Sequence, residues 1–405
     1  MNNMKLGYLV ANFPQLSETF VSNEIDRLIN NGLDINIYSF VQTSEDDAEK
    51  LTEVAKELAV KTNYLSKISV LIASVMRPWD LLRLSGINKK MQKWSTSKPN
   101  QQMRKCRAIA LAHQLRRDGI THLHVHWPYS TEVAYLVNQL INIPYSVSIH
   151  AHEVAHENGH FPPVFKTLSF ATYCNKGAME YLLKQLPEAA RKKSYLVYHG
   201  VDIRNFEPLP MPLLDKTLNI ITAGRLTKTK GFDRLIRACA KARKQDFDIR
   251  LSILGRGTVE NEIKAVAKEE DFTDYLDMPG WVSHDKVREY MKNAHLFALL
   301  ADTSFHDGLP NVVLEAMACS RPVILSPLPA AGEAVADGKE GFILESAEDY
   351  DGFVTALKKI YDAPEILTTM GNDARTRVCH DHDADKQIIY LQDMFIQQAQ
   401  VFNKG

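Results

Sequence analysis

Short apolar segments alternate with amphipathic helical segments along most of this chain, and that alternation restricts its fold more than any other feature. In the first half, the predicted strands are residues 6–10, 35–40, 122–127 and 145–150. Helices are predicted near residues 17–31 and 132–141. Ser17 or Thr19 can cap the first of these helices, and Gly32 stops it. Strand and helix in alternation predict a parallel sheet with helices on both faces.

The same alternation restarts after residues 205–217, a segment that has three prolines and no hydrophobic periodicity. This segment has the composition of an interdomain linker. Beyond it, the predicted strands are residues 218–223, 249–254, 296–300, 322–325 and 342–344, and the predicted helices are residues 232–243, 259–268, 287–293 and 311–319. We therefore expect a second doubly wound α/β domain.

The length of the chain and the position of the linker set the expected domain boundaries. A chain of 405 residues is too long for one ordinary core and fits two domains. We assign residues 1–204 to an N-terminal Rossmann-like domain, residues 205–384 to a C-terminal one, and residues 385–405 to a helix that packs back on the N-terminal domain. Two such domains facing each other leave a cleft, and ligands are expected at the carboxyl ends of the strands.

Composition and charge argue against several classes of protein. A net charge of -1 argues against a generally nucleic-acid-binding surface. The five cysteines are scattered without a Cys-x-x-Cys pair, so neither a disulfide framework nor a thiolate zinc site is indicated. The N-terminus lacks the pattern of a signal peptide, and no apolar run has the length of a transmembrane helix. We expect a cytoplasmic protein.

One loop in the second half combines glycine with cationic side chains. It follows the predicted strand 218–223 and contains Gly224, Arg225 and Lys230. A guanidinium can form paired hydrogen bonds with a diphosphate, and a lysine can add a point charge beside it. The loop is therefore either a phosphate site or a solvated basic turn.

A second stretch carries two acidic residues eight positions apart, Asp307 and Glu315. Between them lie Gly308, Leu309, Pro310 and Asn311. Proline suits the first turn of a helix, and the free amides of that turn form an anion site. The Asp307 carboxylate can accept hydroxyls of a bound sugar, and Glu315, one turn into the helix, can accept two ribose hydroxyls. An ordinary capped helix with acidic residues is the alternative.

Together, the motifs of the second half resemble the large retaining glycosyltransferase family with the GT-B fold, commonly called family 4. The order is that of the family: Gly-Arg and Lys-Gly within 224–231, Gly-x-Gly at 255–257, Gly-Trp-Val-Ser at 280–283, the acidic pair at 307 and 315, and Gly-Glu at 332–333. The resemblance covers residues 197–345 with specific motifs and the N-terminal half more loosely. One departure is Asp307, where the family usually has glutamate.

The resemblance implies a role for each matching residue. The donor-binding residues that it implies are Gly224, Arg225, Lys230, Gly255, Trp281, Val282, Asp307, Gly308, Leu309, Pro310, Asn311 and Glu315. Arg225 and Lys230 neutralise the departing diphosphate, Glu315 holds the ribose, Asp307 with the loop after it holds the sugar, and the backbone at 281–282 meets the base. Because two cations do the work of a divalent ion, no metal or other cofactor is expected.

Histidines alternate near the ends of two predicted strands, at positions 122, 124 and 126 and again at 150 and 152. A His-x-His pair can ligate zinc, so a metal-dependent hydrolase is an alternative, as are histidines that are satisfied inside a core. The family resemblance instead matches His150 to a histidine near the reacting sugar and His126 to a second position, assigned to the acceptor. The catalytic set that it implies is His150, Arg225, Lys230 and Asp307, without a metal ligand.

The segment 13–20 resembles a subgroup of the family that builds bacterial exopolysaccharide and colanic-acid-type chains. Its sequence is Phe-Pro-Gln-Leu-Ser-Glu-Thr-Phe. It departs from the double-glycine loop that many relatives carry after the first strand. Ser17 and Glu18 are assigned to the acceptor, and a simple helix-capping segment is the alternative.

Residues 67–94 contain an apolar run at 68–76 and precede a basic stretch. Nine Lys or Arg lie between Lys89 and Arg117 without one acidic residue. An apolar segment beside a basic run suits an anionic membrane surface or a lipid-diphosphate acceptor. A core helix followed by a solvated face is the alternative.

These features predict a retaining glycosyltransferase. The expected donor is a UDP-sugar or GDP-mannose. The expected acceptor is a glycan or a lipid-linked saccharide in bacterial surface polysaccharide biosynthesis, and the inner face of the cytoplasmic membrane is a further partner. Nucleic acid is not expected. A sugar-nucleotide epimerase or hydrolase of the same architecture and a non-catalytic nucleotide-sugar-binding protein are alternatives.

Overall fold

The computed structural model describes residues 4–16, 18–91, 101–126, 128–150, 162–303 and 309–402. The chain divides into two units, residues 1–199 with 385–405 and residues 200–384. The division falls after residue 199, whereas the linker composition predicts a boundary after residue 204.

The first unit is built on a parallel sheet. Its strands are β1 (Lys5–Leu9), β2 (Asp34–Ser39), β3 (Asn63–Tyr64), β4 (His122–His126), β5 (Tyr145–Ile149), β6 (Ala171–Tyr173) and β7 (Ser194–Leu196). They are ordered β3-β2-β1-β4-β5-β6-β7, and all of the pairings are parallel. The chain therefore reverses its direction of winding between β1 and β4, which is where doubly wound sheets bind ligands.

Helices connect these strands. They are α1 (Thr19–Asn30), α2 (Glu45–Ala48), α3 (Glu53–Lys61), α4 (Lys67–Val75), α5 (Pro78–Met91), α6 (Gln101–Arg117), α7 (Pro128–Ile141), α8 (Pro162–Thr167), α9 (Lys176–Leu183) and α10 (Glu188–Arg191). On α1, Val21, Ile25 and Leu28 form a buried stripe with helical spacing. Thr19, one of the two predicted caps, does not cap α1. It is the first residue of the helix, and Glu18 occupies the cap position.

Part of the basic stretch lies inside the first unit rather than on a solvated or membrane-facing surface. Arg104 on α6 is fully buried and forms an ion pair with Glu132 on α7. Lys105 is also buried, and its Nζ donates to Ser85 Oγ at 3.2 Å. Buried cations require such partners, so these two residues belong to the core. Neither a membrane-facing surface nor a solvated face, the two alternatives for the basic stretch, fits Arg104 and Lys105.

The second unit contains a second parallel sheet. Its strands are β8 (Leu218–Ala223), β9 (Ile249–Leu254), β10 (Leu276–Gly280), β11 (Leu296–Leu299), β12 (Val323–Leu325) and β13 (Gly341–Ile343). They are ordered β10-β9-β8-β11-β12-β13 and run parallel. The direction of winding reverses between β8 and β11.

The helices of this unit are α11 (Phe232–Arg243), α12 (Glu260–Glu269), α13 (His284–Asn293), α14 (Asn311–Ala318), α15 (Ala331–Ala334), α16 (Tyr350–Asp362) and α17 (Ile366–Asp381). On α11, Leu235, Ile236 and Cys239 are buried at helical spacing. They pack in one cluster with Phe353 and Leu357 of α16. Each such side chain contributes about 1.5–3 kcal/mol on burial.

The last helix, α18 (Ala384–Phe402), packs on the first unit. Its Leu391 and Phe395 are fully buried in a cluster that contains Leu6 and Tyr8 of β1. A salt bridge of 2.5 Å joins Asp385 to Arg27. In the part of the chain that the structure describes, none of the helices combines the length and the hydropathy that a membrane crossing requires.

Sequence patterns and observed elements differ mainly at short or edge strands. Predicted segments 218–223, 249–254 and 232–243 coincide with β8, β9 and α11. Strand β10, which contains Pro279 and ends at Gly280, is not among the predicted strands. Proline is tolerated there because β10 is an edge strand. Strands β3, β6 and β7 are also absent from the predicted strands, because they are too short for periodicity to reveal them.

Candidate functional site

Three loops at the carboxyl edge of the second sheet are hydrogen-bonded to one another. The Gly224 amide, after β8, donates to the Leu254 carbonyl at the end of β9 at 2.9 Å. The Gly255 amide donates to the Gly280 carbonyl at the end of β10 at 2.8 Å. The motifs at 224, 255 and 280 therefore form one connected edge.

Glycine is required at two points of this edge by close backbone approach. Gly255 has a φ of +140°, and a Cβ there would lie 1.9 Å from the Gly224 carbonyl oxygen. Gly231 has a φ of +65°, and a Cβ there would lie 1.9 Å from the Leu300 carbonyl oxygen. There is no room for a Cβ atom at either position. The positive φ angles also disfavour any residue other than glycine.

The loop after β8 presents positive charge. Arg225 is exposed, and its guanidinium has no hydrogen bond or ion pair with any residue in the described part of the chain. Lys228 differs, because its Nζ lies 3.6 Å from the Glu262 carboxylate. Lys230 is half-buried at the end of a short 3-10 helix, Lys228–Lys230. The Arg225 charge is therefore available to an anion at this edge.

The segment after β11 reaches the same edge. The Asp302 amide donates to the Thr229 carbonyl at 2.7 Å, which ties this segment to the loop after β8. Helix α14 begins at Asn311, with Pro310 at the cap position and no side-chain cap. The first amides of a helix have no acceptor within it and favour an anion. The predicted helix start is thus confirmed, with Pro310 one position earlier than the first helical residue.

Glu315 lies on α14, one turn from its start. Burial raises the pKa of its carboxyl to about 7. Its carboxylate forms no hydrogen bond or ion pair with any described residue. A ligand that donates hydroxyl hydrogen bonds would stabilise the charged form, because such bonds offset the desolvation.

Trp281 and Val282 follow β10. The Trp281 side chain is 68% exposed, whereas Val282 is half-buried against an apolar cluster of the second unit. Leu309 is half-buried in the same cluster. Asp307 and Gly308, which the sequence assigns to the donor sugar, lie outside the described residues. The other predicted donor-binding residues all belong to this unit, in loops at the carboxyl edge or on α14.

A cluster of histidines fills the interior of the first unit beside β4. His122 Nε2 and His124 Nδ1 each lie 2.8 Å from Ser146 Oγ, and His124 Nε2 lies 3.0 Å from Ser148 Oγ. Burial lowers the pKa of His122 to about 3 and that of His124 well below its ordinary value. These two histidines are neutral and satisfied by serine hydroxyls, as the core alternative predicts.

His126, at the end of β4, is bonded to a buried acid. Its Nε2 lies 3.2 Å from Glu24 Oε1 of α1 and 3.1 Å from the Tyr8 hydroxyl, which also donates to Glu24. Burial favours the neutral acid, but the hydrogen bonds that Glu24 receives from His126 and Tyr8 outweigh burial and lower the pKa of the Glu24 carboxyl. Glu24 is thus a carboxylate at neutral pH. Burial and the Glu24 charge raise the pKa of Tyr8.

A chain of hydrogen bonds continues from His126 to two further histidines. His126 Nδ1 lies 3.2 Å from His150 Nε2, and His150 Nδ1 lies 2.9 Å from His199 Nε2. The Phe20 ring stacks on His199 with centroids 4.1 Å apart. Burial lowers the pKa of His199 to about 4. The four groups Glu24, His126, His150 and His199 are called the histidine chain below.

The direction of the hydrogen bonds follows from the acid at one end. A carboxylate only accepts, so the proton between Glu24 and His126 lies on His126 Nε2. When the His126 ring is neutral, its Nδ1 accepts, and His150 Nε2 is then the donor to His126 Nδ1. His150 Nδ1 is left as an acceptor, and it receives the N–H of His199. Glu24 therefore sets the tautomer of His150.

The residues assigned to the acceptor have different positions. Ser17 lies outside the described residues, and Glu18 is at the start of α1 without capping it. His126 is fully buried, and both of its ring nitrogens are engaged within the unit. The assignment of His126 to the acceptor therefore stays a prediction, and the contact that the structure shows for its Nδ1 is with His150.

Glu24, Tyr8 and His199 are not among the site residues predicted from the sequence. One signal was available: Glu24 lies three residues after Val21 and four before Leu28, on the apolar stripe of α1. An acid on a buried stripe requires a polar partner. Nothing local in the sequence identifies that partner as His126.

Residues 210–377 match the family described as glycosyl transferases group 1, and this stretch contains the three connected loops and α14. The resemblance predicted from the motifs is confirmed at the level of enzyme class and fold: the chain is a glycosyltransferase with the GT-B fold.

Individual relatives agree with this class. The chain is 24% identical over 408 residues to WcaL of Escherichia coli K12, named as a colanic acid biosynthesis glycosyltransferase, covering 95% of this chain and 97% of WcaL. It superposes on the lipopolysaccharide outer core galactosyltransferase WaaB with a TM-score of 0.73, at 16% identity and 98% and 100% coverage. Superposition on the Anabaena protein Alr3699/HepE in complex with UDP has a TM-score of 0.72 at 13% identity, and it covers 97% of this chain and 100% of that protein.

Proposed function

We propose that this chain transfers a sugar, with retention of anomeric configuration, from a nucleotide diphosphate sugar to a glycan or lipid-linked acceptor in bacterial surface polysaccharide biosynthesis. The observation that carries the proposal is the exposed Arg225, which is unpaired among the described residues, on an edge that also bears the start of α14 and Glu315. WcaL, which is named for colanic acid biosynthesis, and the UDP-bound Alr3699/HepE support the acceptor and donor classes.

The leaving diphosphate is stabilised by Arg225, Lys230 and the first amides of α14 in this proposal. Negative charge develops on the phosphate in the transition state, and preorganised donors lower the barrier most where charge develops. Two cations suffice to balance that charge, so we propose transfer without a metal or other cofactor. Asp307 and Gly308 retain the sugar-binding role that the family resemblance gives them.

The nucleoside end of the donor is held by Glu315 and the residues after β10. The Glu315 carboxylate accepts ribose hydroxyls, which offset its desolvation. The exposed Trp281 and the backbone at Val282 follow β10 at the same edge of the second sheet, and in this proposal they contact the base. UDP-sugars and GDP-mannose both satisfy this arrangement.

The first unit contributes His150, and Glu24 through His126 fixes its orientation. We propose that His150 contacts the reacting sugar, as the family resemblance implies. His126 acts behind it as a positioning residue. Ser17 and Glu18 retain their assignment to the acceptor.

A membrane surface is the further partner that we propose, with the chain at the inner face of the cytoplasmic membrane. Large apolar side chains that are exposed on α4, on α5 and on the link between them form what we call the α4–α5 surface: Ile68, Leu71, Ile72, Val75, Met76, Trp79 and Leu82. Lys67 and Arg83 are exposed on the same helices. Apolar side chains flanked by cations suit the interface of an anionic bilayer.

The proposed function is tested with a panel of nucleotide sugars. A donor that binds the folded chain raises its thermal midpoint, so we expect a shift with UDP-sugars or GDP-mannose and none with the free sugars. Product analysis with and without acceptor then separates transfer from hydrolysis or epimerisation. If no nucleotide sugar shifts the midpoint, the proposal fails.

A further inference from the structure

Three adjacent strands of the first sheet end in residues that can ligate a metal. His150 directly follows β5, Cys174 directly follows β6, and His199 follows β7 by three residues. The strands are in register, because Ile149 pairs with Tyr173 and Tyr173 with Leu196. The topology therefore brings two imidazoles and a thiol to one edge of the sheet.

The ligand atoms of these three residues are close together. His150 Nδ1 and His199 Nε2 lie 2.9 Å apart, and all three ligand atoms lie within 4.8 Å of one another. Two nitrogens bound to one tetrahedral zinc ion at about 2.0–2.1 Å are separated by roughly 3.3 Å. The two rings therefore need to part by only a few tenths of an ångström.

The chemistry of the three ligands selects the metal. Thiolate and imidazole together are the ligands that Zn²⁺ prefers, and hard cations such as Mg²⁺ favour oxygen. Zinc sites with three protein ligands keep a fourth position for water. Binding displaces one proton from the Cys174 thiol, since the thiolate is the ligand. The proton on His199 Nε2 moves to Nδ1 of the same ring, since the ligating nitrogen must carry a lone pair.

The surroundings of His150 match those of a metal-bound histidine. Such a histidine donates the N–H of its other ring nitrogen to an acceptor, which fixes the orientation of the ring. His150 Nε2 lies 3.2 Å from His126 Nδ1, and His126 is held by Glu24. The histidine chain therefore leaves His150 Nδ1 as the nitrogen with the lone pair, on the side of Cys174 and His199.

A second group with compatible distances, Glu24, His124 and His126, is a weaker candidate. Both ring nitrogens of His124 contact serine hydroxyls, at 2.8 and 3.0 Å. His126 directs one nitrogen at His150. A metal there would have to break hydrogen bonds in the interior of the sheet.

We propose that His150, Cys174 and His199 bind one Zn²⁺ ion, and that this ion inhibits the transferase. The second part rests on the proposed function, in which His150 contacts the sugar: His126 already holds His150 Nε2, and zinc on Nδ1 then occupies the other ring nitrogen. The site is then an inhibitory zinc site on an enzyme whose reaction needs no metal.

Metal binding is tested by itself with the full chain, freed of metal by a chelator and titrated with Co²⁺. We expect one Co²⁺ per chain, a near-ultraviolet band from the thiolate, the visible spectrum of tetrahedral cobalt, and displacement by Zn²⁺. Cys174→Ser should abolish the thiolate band and weaken binding by at least about tenfold. Cys379→Ser, at a half-buried thiol of the second unit, is the matched control and should leave the titration unchanged.

Inhibition is tested separately, with whichever donor the nucleotide-sugar panel identifies. One equivalent of Zn²⁺ should suppress turnover of the wild-type chain, and Cys174→Ser should lose that sensitivity. Absence of the thiolate band, or a Cys174→Ser variant that binds Co²⁺ as tightly as the wild type, overturns the site. Normal Co²⁺ binding without inhibition by Zn²⁺ overturns the inhibitory role alone. If no nucleotide sugar serves as donor, the proposed function fails, and the Co²⁺ titration still tests the metal site independently.

Discussion

Glu24 and His126 are hydrogen-bonded in the interior of the first unit, 3.2 Å from Oε1 to Nε2, although 102 positions separate them in the sequence. One lies on α1 and the other at the end of β4, two elements that only the sheet order brings together. Their contact fixes which nitrogen of His126, and therefore of His150, carries a proton.

Replacing Glu24 by glutamine should reduce turnover without removing donor binding. The amide can donate as well as accept, so it no longer forces the proton onto His126 Nε2. We expect kcat to fall by roughly 10–100-fold with little change in the KM for donor, because positioning acts on the transition state. Nitrogen NMR of labelled histidines should show a changed tautomer of His126.

Asp26→Asn, on the same helix, is the control for that substitution. Among the described residues, the Asp26 carboxylate accepts a hydrogen bond only from Asn30, at 3.0 Å, so its removal should leave both kcat and the tautomers unchanged. A Glu24→Gln variant with wild-type tautomers and wild-type kcat would show that Glu24 does not position His150.

Arg225→Ala should remove most of the stabilisation of the leaving diphosphate. Arg225 is exposed and unpaired among the described residues, so its loss should leave the thermal midpoint unchanged while kcat/KM falls by roughly 10²–10³-fold. Arg225→Lys should recover only part of the rate, because an ammonium cannot form the paired hydrogen bonds. Initial rates at several donor concentrations measure these effects.

Lys228→Ala provides the matched comparison for Arg225→Ala in the same loop. Lys228 is exposed and paired with Glu262, so we expect less than about a twofold change in kcat/KM. Equal losses for the two variants would mean that the loop contributes only general positive charge.

The raised pKa of Glu315 should make nucleotide binding depend on pH. Its carboxyl titrates near 7 in the unliganded chain, and only the carboxylate accepts two hydroxyls. Affinity for UDP or GDP, measured by calorimetry, should fall as the pH decreases below 7, by about tenfold at one unit below that pKa. Glu315→Gln should bind weakly with a flat profile, and an equally steep profile in that variant would contradict the assignment.

The contribution of Glu315 to the free energy of unfolding should depend on pH in the opposite direction to nucleotide binding. The folded-state pKa of Glu315 exceeds the value of 4.5 for an unperturbed glutamate, so between the two values the folded chain binds more protons than the unfolded chain. The contribution of Glu315 is thus most favourable below pH 4.5 and is lost as the pH rises through 7. Relative to Glu315→Gln, the wild type should lose unfolding free energy across that window in urea titrations.

Charge placed on the α4–α5 surface should abolish membrane binding. An Ile72→Asp, Val75→Asp variant puts two carboxylates where the wild type exposes large apolar side chains, and insertion then costs more than it gains. In flotation assays, we expect the wild type to rise with vesicles that contain phosphatidylglycerol and the variant to remain at the bottom. Circular dichroism checks that the variant is folded.

Val60→Asp is the matched control for that surface. Val60 is 89% exposed on α3, outside the α4–α5 surface, so its substitution should leave flotation unchanged. If the wild type does not float with anionic vesicles, this surface does not bind membranes.

The sequence by itself determined the elements of regular length and the motifs beside them. Residues 218–223 and 249–254 alternate with helices of clear amphipathic spacing, and the glycines and cations that follow those strands lie at one edge because parallel strands all end there. Local pattern was sufficient for these features, because side-chain spacing within one element decides which face is buried.

Only the tertiary structure decided which distant residues meet. The sequence shows Glu24, His126, His150 and His199 as isolated positions, and it shows Arg104 as one cation in a basic stretch. The order of strands joins the first four into the histidine chain, and the packing of α6 on α7 buries Arg104 against Glu132. The physical reason is that buried polar groups are stabilised by partners that are remote in sequence, and no local pattern specifies a partner across a sheet.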